Sequence, residues 1–449
     1  MTQSARRVAA SERLGLVGLF AVYIALLAGR FDLARLSDAL PSFDLRIVAV
    51  AVCGYLWCLW SAAERRYGWH ARVGAGPLAA AFGAWTVWMA LSAAWAPPDA
   101  RADEHLVDLV LMAALVAMAW SFYSRLPARH RTTPWWWFYW TGLVYVLAAF
   151  AQGPDSLGRY SALGGGPNVF VRVVMLAVIA ALFLAAHRGA RWTLAAVPVL
   201  VAAGVLSGSR GGLLAFAVVI LLAAVPLLRR MPRLVRRLTV VLALGVAALV
   251  LRMLLSERFR AVYDRFVVQT LQEGYSSGRD RIGGDAYALF LDSPVIGVGL
   301  DGYYGLAGRL YGGEYPHNLV LAVGAEAGMI GLVALLAALV LGAATVVRRG
   351  TDRVALFLGL GAAYFFVAGM FSGDYYDSRF FWVLLGWAAV EARLSRRGSP
   401  GLGSPGLESP RPDRDARAAE GPPVPLPTGH SRTAASTAAR ARAATTSRL

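Results

Sequence analysis

Apolar runs of roughly 17–25 residues recur along most of this chain, separated by short polar breaks, and each can cross the ~30 Å hydrocarbon core of a bilayer as a helix. A helix satisfies its own backbone hydrogen bonds, which a chain in lipid must do. The runs are apolar all round, whereas a helix of a soluble bundle carries an apolar stripe and a polar face. Composition agrees, with 57% hydrophobic and 16% charged residues, against about 25% charged in an ordinary soluble domain. The expected fold is all-α, a polytopic integral membrane protein with about 12 transmembrane helices and one large extracytoplasmic loop.

The expected spans are 14–29, 45–63, 76–95, 105–123, 135–151, 168–187, 192–207, 211–228, 239–255, 318–347, 353–371 and 380–394. The first lacks a small-residue cleavage site and is expected to remain as a span. The tenth is too long for one plain crossing, and Gly324, Gly328 and Gly331 within it predict a break or a tilted, re-entrant start. Cys53 and Cys58 lie in one run, on different faces of a helix, so no disulfide is expected between them.

The formal net charge is +17, and with no lysine in the chain it is carried by arginine. In a soluble protein such a balance points to nucleic acid. Here the arginines fall in alternate short loops, among them Arg65, Arg66 and Arg72, Arg125, Arg129 and Arg131, and Arg229, Arg230 and Arg233. The intervening loops are balanced or acidic. By the positive-inside rule both termini are cytoplasmic, in a multi-pass protein of the cell membrane, and no nucleic-acid partner is expected. Residues 1–394 form the transmembrane domain, with the loop 256–317 outside. Residues 395–449, rich in Pro, Gly, Ala and Arg, are expected to be a disordered cytoplasmic tail.

This topology gathers polar residues on the extracytoplasmic face. The turn SGSRGG places Arg210 between the seventh and eighth spans, where charge asymmetry calls for no arginine. Gly211 and Gly212 beside it would let a ligand approach closely; a snorkelling arginine or a helix cap explains it as well. Arg279 and Arg281 stand in the long loop, ahead of a stretch at 280–292 with the pattern of an amphipathic helix on the membrane surface. Guanidinium groups there suit an anion such as a diphosphate, which they bind by paired hydrogen bonds. His317 and Asn318 open the tenth span. His317 has the chemistry to take a proton from a hydroxyl or to offset charge on a leaving phosphate, and it equally fits an interfacial cap. Glu326, farther along that span, fits an interhelical hydrogen bond as well as a catalytic role. Asn168 opens the sixth span as a candidate cap, and Arg172 one turn on could line a basic outer cavity with these arginines. Asp374 and Asp377 flank two tyrosines ahead of Arg379, where Asp–Arg pairing is the simpler account. No His/Cys set has zinc spacing, and no glycine loop follows a strand as phosphate loops do, so neither metal nor cofactor is expected.

Taken in order, LSAAWAPPDA, GGGPN, SGSRGGLLAF, SSGRDRIGGDAYALFLDSPVIGVGLDGYY, PHNLVLAVGAEAGMIG and SGDYYDSRFFW resemble the O-antigen ligase/polymerase family of bacterial membrane proteins, over roughly residues 80–390. The resemblance implies a metal-independent glycosyltransferase. It would move a saccharide from a polyprenyl-diphosphate carrier to a glycan, lipid or protein acceptor hydroxyl outside the cytoplasmic membrane, in cell-surface polysaccharide biosynthesis. It maps the family's two key arginines and one histidine onto Arg210, Arg279 and His317, as the catalytic set. Arg172, Asn168, Asn318, Arg281 and Asp374 are the expected substrate-binding residues. Within the family the alternative activity is repeat-unit polymerisation. Outside it the alternative is a many-span transporter of ions, bicarbonate or lipid-linked glycan, but few charges fall mid-span and no inverted repeat is evident.

Overall fold

The structure, a computed structural model, describes residues 3–29, 43–67, 75–230, 278–311, 313, 315–347, 352–373 and 375–397, with scattered positions between 232 and 268. Every element among them is helical. The longer helices are α1 (Gln3–Ala28), α2 (Leu45–Tyr67), α3 (Pro77–Leu91), α4 (Ala102–Arg125), α5 (Thr133–Gln152), α6 (Gly166–His187), α7 (Val197–Leu206), α8 (Arg210–Arg230), α9 (Arg279–Asp292), α10 (Leu319–Val347), α11 (Arg353–Gly369) and α12 (Arg379–Arg397). The expected span at 239–255 lies largely outside the described residues. So do Arg258, Arg260 and Arg265 of the long loop, Asp374, and the tail beyond Arg397.

Among the described residues six helices, α1 to α4, α6 and α10, are long and apolar enough to cross a membrane. Large apolar side chains such as Leu147, Leu221 and Val340 are 69%, 74% and 63% exposed. A soluble protein does not carry such surface over whole helices, whereas a bilayer covers it with acyl chains. The chain is an integral membrane protein. The interior is built on α6 and α12, buried on every side from Phe170 to Ala185 and from Arg379 to Ala392. Aromatic rings fill the space between helices: Trp135 stacks on Phe183 at 4.4 Å and Tyr123 on Trp387 at 4.6 Å between centroids.

The break expected in the long tenth span falls at Gly328, where φ is 62° and ψ −160°. The turn-rich segment 293–299 docks there. Met329 and Ile330 donate their N–H groups to the Pro294 and Val295 carbonyls, at 2.8 and 3.3 Å, and the N–H groups of Val298 and Gly299 donate to Ala325 and Glu326 carbonyls, at 2.9 and 3.0 Å. The segment thus satisfies backbone groups that the break releases, the condition for irregular backbone at membrane depth. A Cβ on Gly328 would stand 2.4 Å from the Val295 carbonyl oxygen, so both the turn and the docking require glycine.

Helix α9 lies over the stretch 280–292 that the sequence marks as amphipathic. Its stripe of Ile282, Ala286 and Leu289 packs on Leu321 and Ala325 of α10 and on Tyr303 and Ala307. The apolar face therefore meets protein rather than the membrane surface expected for it, because α10 presents a matching stripe.

Candidate active site at converging helix N-termini

The N-termini of α2, α4, α6, α8, α10 and α12 share one end of the bundle, and Arg210 and Arg279 are the first residues of α8 and α9. His317 stands two residues before α10 begins. A helix N-terminus carries unsatisfied N–H groups and the positive end of the macrodipole, so this end favours anions.

A hydrogen-bonded seam fixes the turn that presents Arg210. Ser207 donates to the Gly204 carbonyl at 2.6 Å and accepts from the Ser209 N–H at 3.1 Å. Ser209 donates to Asn168 Oδ1 at 2.7 Å, and Asn168 Nδ2 donates to the Ser372 hydroxyl at 2.9 Å. Asn168 therefore ties the start of α6 to the α7–α8 and α11–α12 turns. It is not the expected cap: α6 is preceded by Gly165 and has no side-chain cap. Gly211 and Gly212 also serve packing. A Cβ on Gly211 would meet Phe371 at 2.4 Å, and one on Gly212 would meet Val171 at 2.2 Å. The room that glycine leaves is filled by α6 and the end of α11, not kept for a ligand.

Arg279 reaches this same turn, with Nη1 3.7 Å from the position of a Gly211 Cβ. Its guanidinium is held below the ordinary arginine pKa, by burial first and then by the nearby positive charge of Arg210, with Tyr315 acting in the opposite sense. Like charges brought together in a half-buried place are stabilised by an anion between them. Arg281, two residues on, is exposed and lies in electrostatic range of Tyr303. Of the two loop arginines, Arg279 is the one at the α8 turn.

Tyr315 links Arg279 to the imidazole. In electrostatic range of Arg279, it also sets its ring edge-on to His317 at 4.3 Å. His317 has a φ of 57°, a conformation that a non-glycine residue adopts only when its surroundings impose it. Asn318 Oδ1 accepts from the N–H groups of Val320 and Leu321, at 3.0 and 3.1 Å, and so caps α10 directly behind His317. Arg172 is buried and holds the α11–α12 turn. It donates to the Ser372 carbonyl, to the Ala368 carbonyl at 3.3 Å and to Asp377 at 3.4 Å. Asp377 also pairs with Arg379 at 3.4 Å, as the sequence suggests. Glu326 is buried, and its Oε2 accepts from the Asp301 N–H at 3.0 Å, a structural bond rather than a place at the arginine pair.

Sequence reasoning did not single out Ser209, Ser372 or Tyr315. Both serines sit in glycine-containing turns, SGSRGG and FSGD, and Tyr315 lies two residues before His317. The signal was present, but nothing in one chain says that the turns meet.

No curated protein matches the chain. Residues 194–336 match the family model described as O-antigen ligase, a stretch from the turn before α7 to the middle of α10 that includes Arg210, Arg279 and His317. Over residues 194–336, about a third of its length, this membrane protein is thus similar to the O-antigen ligase family.

Proposed function

We propose that this end of the bundle faces the extracytoplasmic side of the cell membrane and transfers a saccharide from a polyprenyl-diphosphate carrier to an acceptor hydroxyl. The observation that carries the reading is Arg279 set against the first turn of α8 beside Arg210. The polyprenyl chain stays in the bilayer and its diphosphate comes to the interface, level with these helix N-termini. Attack of the acceptor oxygen on the anomeric carbon breaks the bond to the diphosphate oxygen. The negative charge that grows on the leaving group falls where Arg210, Arg279 and the N–H groups of α8 offset it. His317 takes the proton from the acceptor hydroxyl as the glycosidic bond forms. Asn168, Arg172 and Asn318 support this by fixing the turns and the helix start that carry the reacting groups, and Arg281 lies at the exposed rim. No step calls for a metal ion. The bundle 1–394 is the catalytic domain, and the tail 395–449 lies in the cytoplasm.

The test uses the purified protein in proteoliposomes with a polyprenyl-diphosphate-linked oligosaccharide and either a lipid-linked glycan or a lipid A core acceptor. We expect a new glycosidic bond and stoichiometric polyprenyl diphosphate. Elongation of the lipid-linked glycan would identify a polymerase, and transfer to the core a ligase. Movement of the donor or of an ion across sealed vesicles without any glycosidic product would replace the enzyme reading with transport.

A further inference from the structure

The chain that joins Arg279 to His317 is gripped, midway, by the connection between α3 and α4. The N–H of Leu300 donates to the Ser92 carbonyl at 3.2 Å, and the Trp95 indole donates to the Gly297 carbonyl at 3.2 Å. A Cβ on Gly299 would stand 2.5 Å from the Ala96 Cα, so the two backbones touch. At the centre is Asp301, 3% exposed and at a φ of 56°. Its Oδ2 accepts from the Arg101 N–H at 2.9 Å and from Arg101 Nε at 3.2 Å, and its Oδ1 is 3.2 Å from His105 Nε2. Its own N–H is taken by the buried Glu326 carboxylate of α10. His105 Nδ1 is 3.9 Å from Asp108, which accepts from Arg46 at the start of α2, and the edge-on ring of Tyr375 lies 6.4 Å from the imidazole. The Arg101 guanidinium also lies 3.7 Å over the Tyr304 ring.

Buried charges are expensive unless fully paired, and a left-handed aspartate persists only where its neighbours over-determine it. Here four contacts from α4, its preceding turn and α10 converge on one residue. That residue lies between the two groups whose mutual placement the proposed chemistry requires. We propose that Asp301, Arg101 and His105 form a positioning clamp that fixes where His317 stands relative to Arg279. This rests on the transfer reading above. The clamp acts through the chain it holds.

The experiment compares wild type with His105→Ala, His105→Gln and Asp301→Asn in proteoliposomes. Asparagine keeps the tolerance for a positive φ and removes only the charge, while glutamine keeps a donor near the place of Nε2. Two readouts are taken: hydrogen exchange across residues 293–318, and transfer rate against donor concentration. In His105→Ala and Asp301→Asn we expect exchange to rise about tenfold in that segment with α6 unchanged. We also expect kcat to fall about tenfold at an unchanged donor KM, since the arginine pair lies outside the clamp. His105→Gln should recover both. Arg101→Lys, altered on the exposed side, keeps the test open if a buried change prevents folding. Unchanged exchange overturns the clamp, and raised exchange with wild-type kcat overturns its positioning role. Absence of product in wild type would reject the transfer reading alone, with exchange still deciding whether the clamp holds the segment.

Discussion

Both ends of this bundle pair arginine with acids, and the site end also sets two arginines side by side. At the end opposite the candidate site, arginines meet acids on neighbouring helices. Arg125 donates to Glu64 at 2.9 Å, Arg131 donates to Glu391 at 2.9 Å, and Glu391 also accepts from Tyr123 at 2.9 Å. Arg129 pairs with Glu12. At the site end Arg279 is placed where Arg210 raises the local positive charge, and buried acids are engaged elsewhere: Asp108 with Arg46, Asp301 with Arg101, and Glu326 with a backbone N–H. The same residue type thus closes helices together at both ends, and at the site end Arg210 and Arg279 add a field of one sign. Paired charges hold a fold; like charges juxtaposed beside helix N-termini make a place for an anion from outside the chain.

That contrast is open to direct attack. The largest effect should follow from Arg210→Ala or Arg279→Ala. We expect transfer to drop by about 100-fold or more, as when a donor to developing charge is removed, with folded yield unchanged. Arg210→Lys should fall between, because an ammonium keeps the charge and loses the paired geometry. Wild-type rates in either alanine variant would end the comparison. Next comes the opposite end. Glu391→Ala leaves Arg131 without its carboxylate and should cost about 3–5 kcal/mol of stability, read as a lower thermal midpoint in detergent. Transfer per folded molecule should not change, and a loss of rate without loss of stability would erase the distinction between the ends. Asn168→Ala should be milder, costing about 1–3 kcal/mol for the groups it leaves unsatisfied. Transfer should also fall severalfold as the Arg210 turn loosens, which thermal melts and initial rates would show together. The smallest effect is that of salt. Raising ionic strength from low to physiological values shortens the Debye length to about 8 Å, so the donor KM should rise modestly while the melting temperature moves little.

Much of this was legible in one chain. Lipid admits only backbone that satisfies itself, so apolar length alone marks helices, and described helices lie over the expected spans apart from 239–255. The stretch 280–292 is a helix because its apolar residues recur at helical spacing, and Gly278, at a φ of 75°, stands at its N-cap. The break at Gly328 was signalled by glycines in an overlong run. Choosing Gly328 over Gly324 and Gly331 needed the docked segment 293–299, whose carbonyls occupy the space a side chain would take. Asn168 looked like a cap because local sequence favours that role, and it is instead a tie between three turns.

What the sequence by itself determined is the helical membrane class, the polar residues at one end and the family resemblance over the stretch that holds Arg210, Arg279 and His317. Periodicity and composition are local, and they suffice for that. Only the tertiary structure decided that Arg279 reaches the α8 turn, that Tyr315 neighbours both Arg279 and His317, and that His105 and Asp301 meet across nearly 200 residues of chain. The physical reason is that a hydrogen bond or a charge pair depends on distance in space. Residues far apart along the chain come within a few ångströms only once the helices have packed.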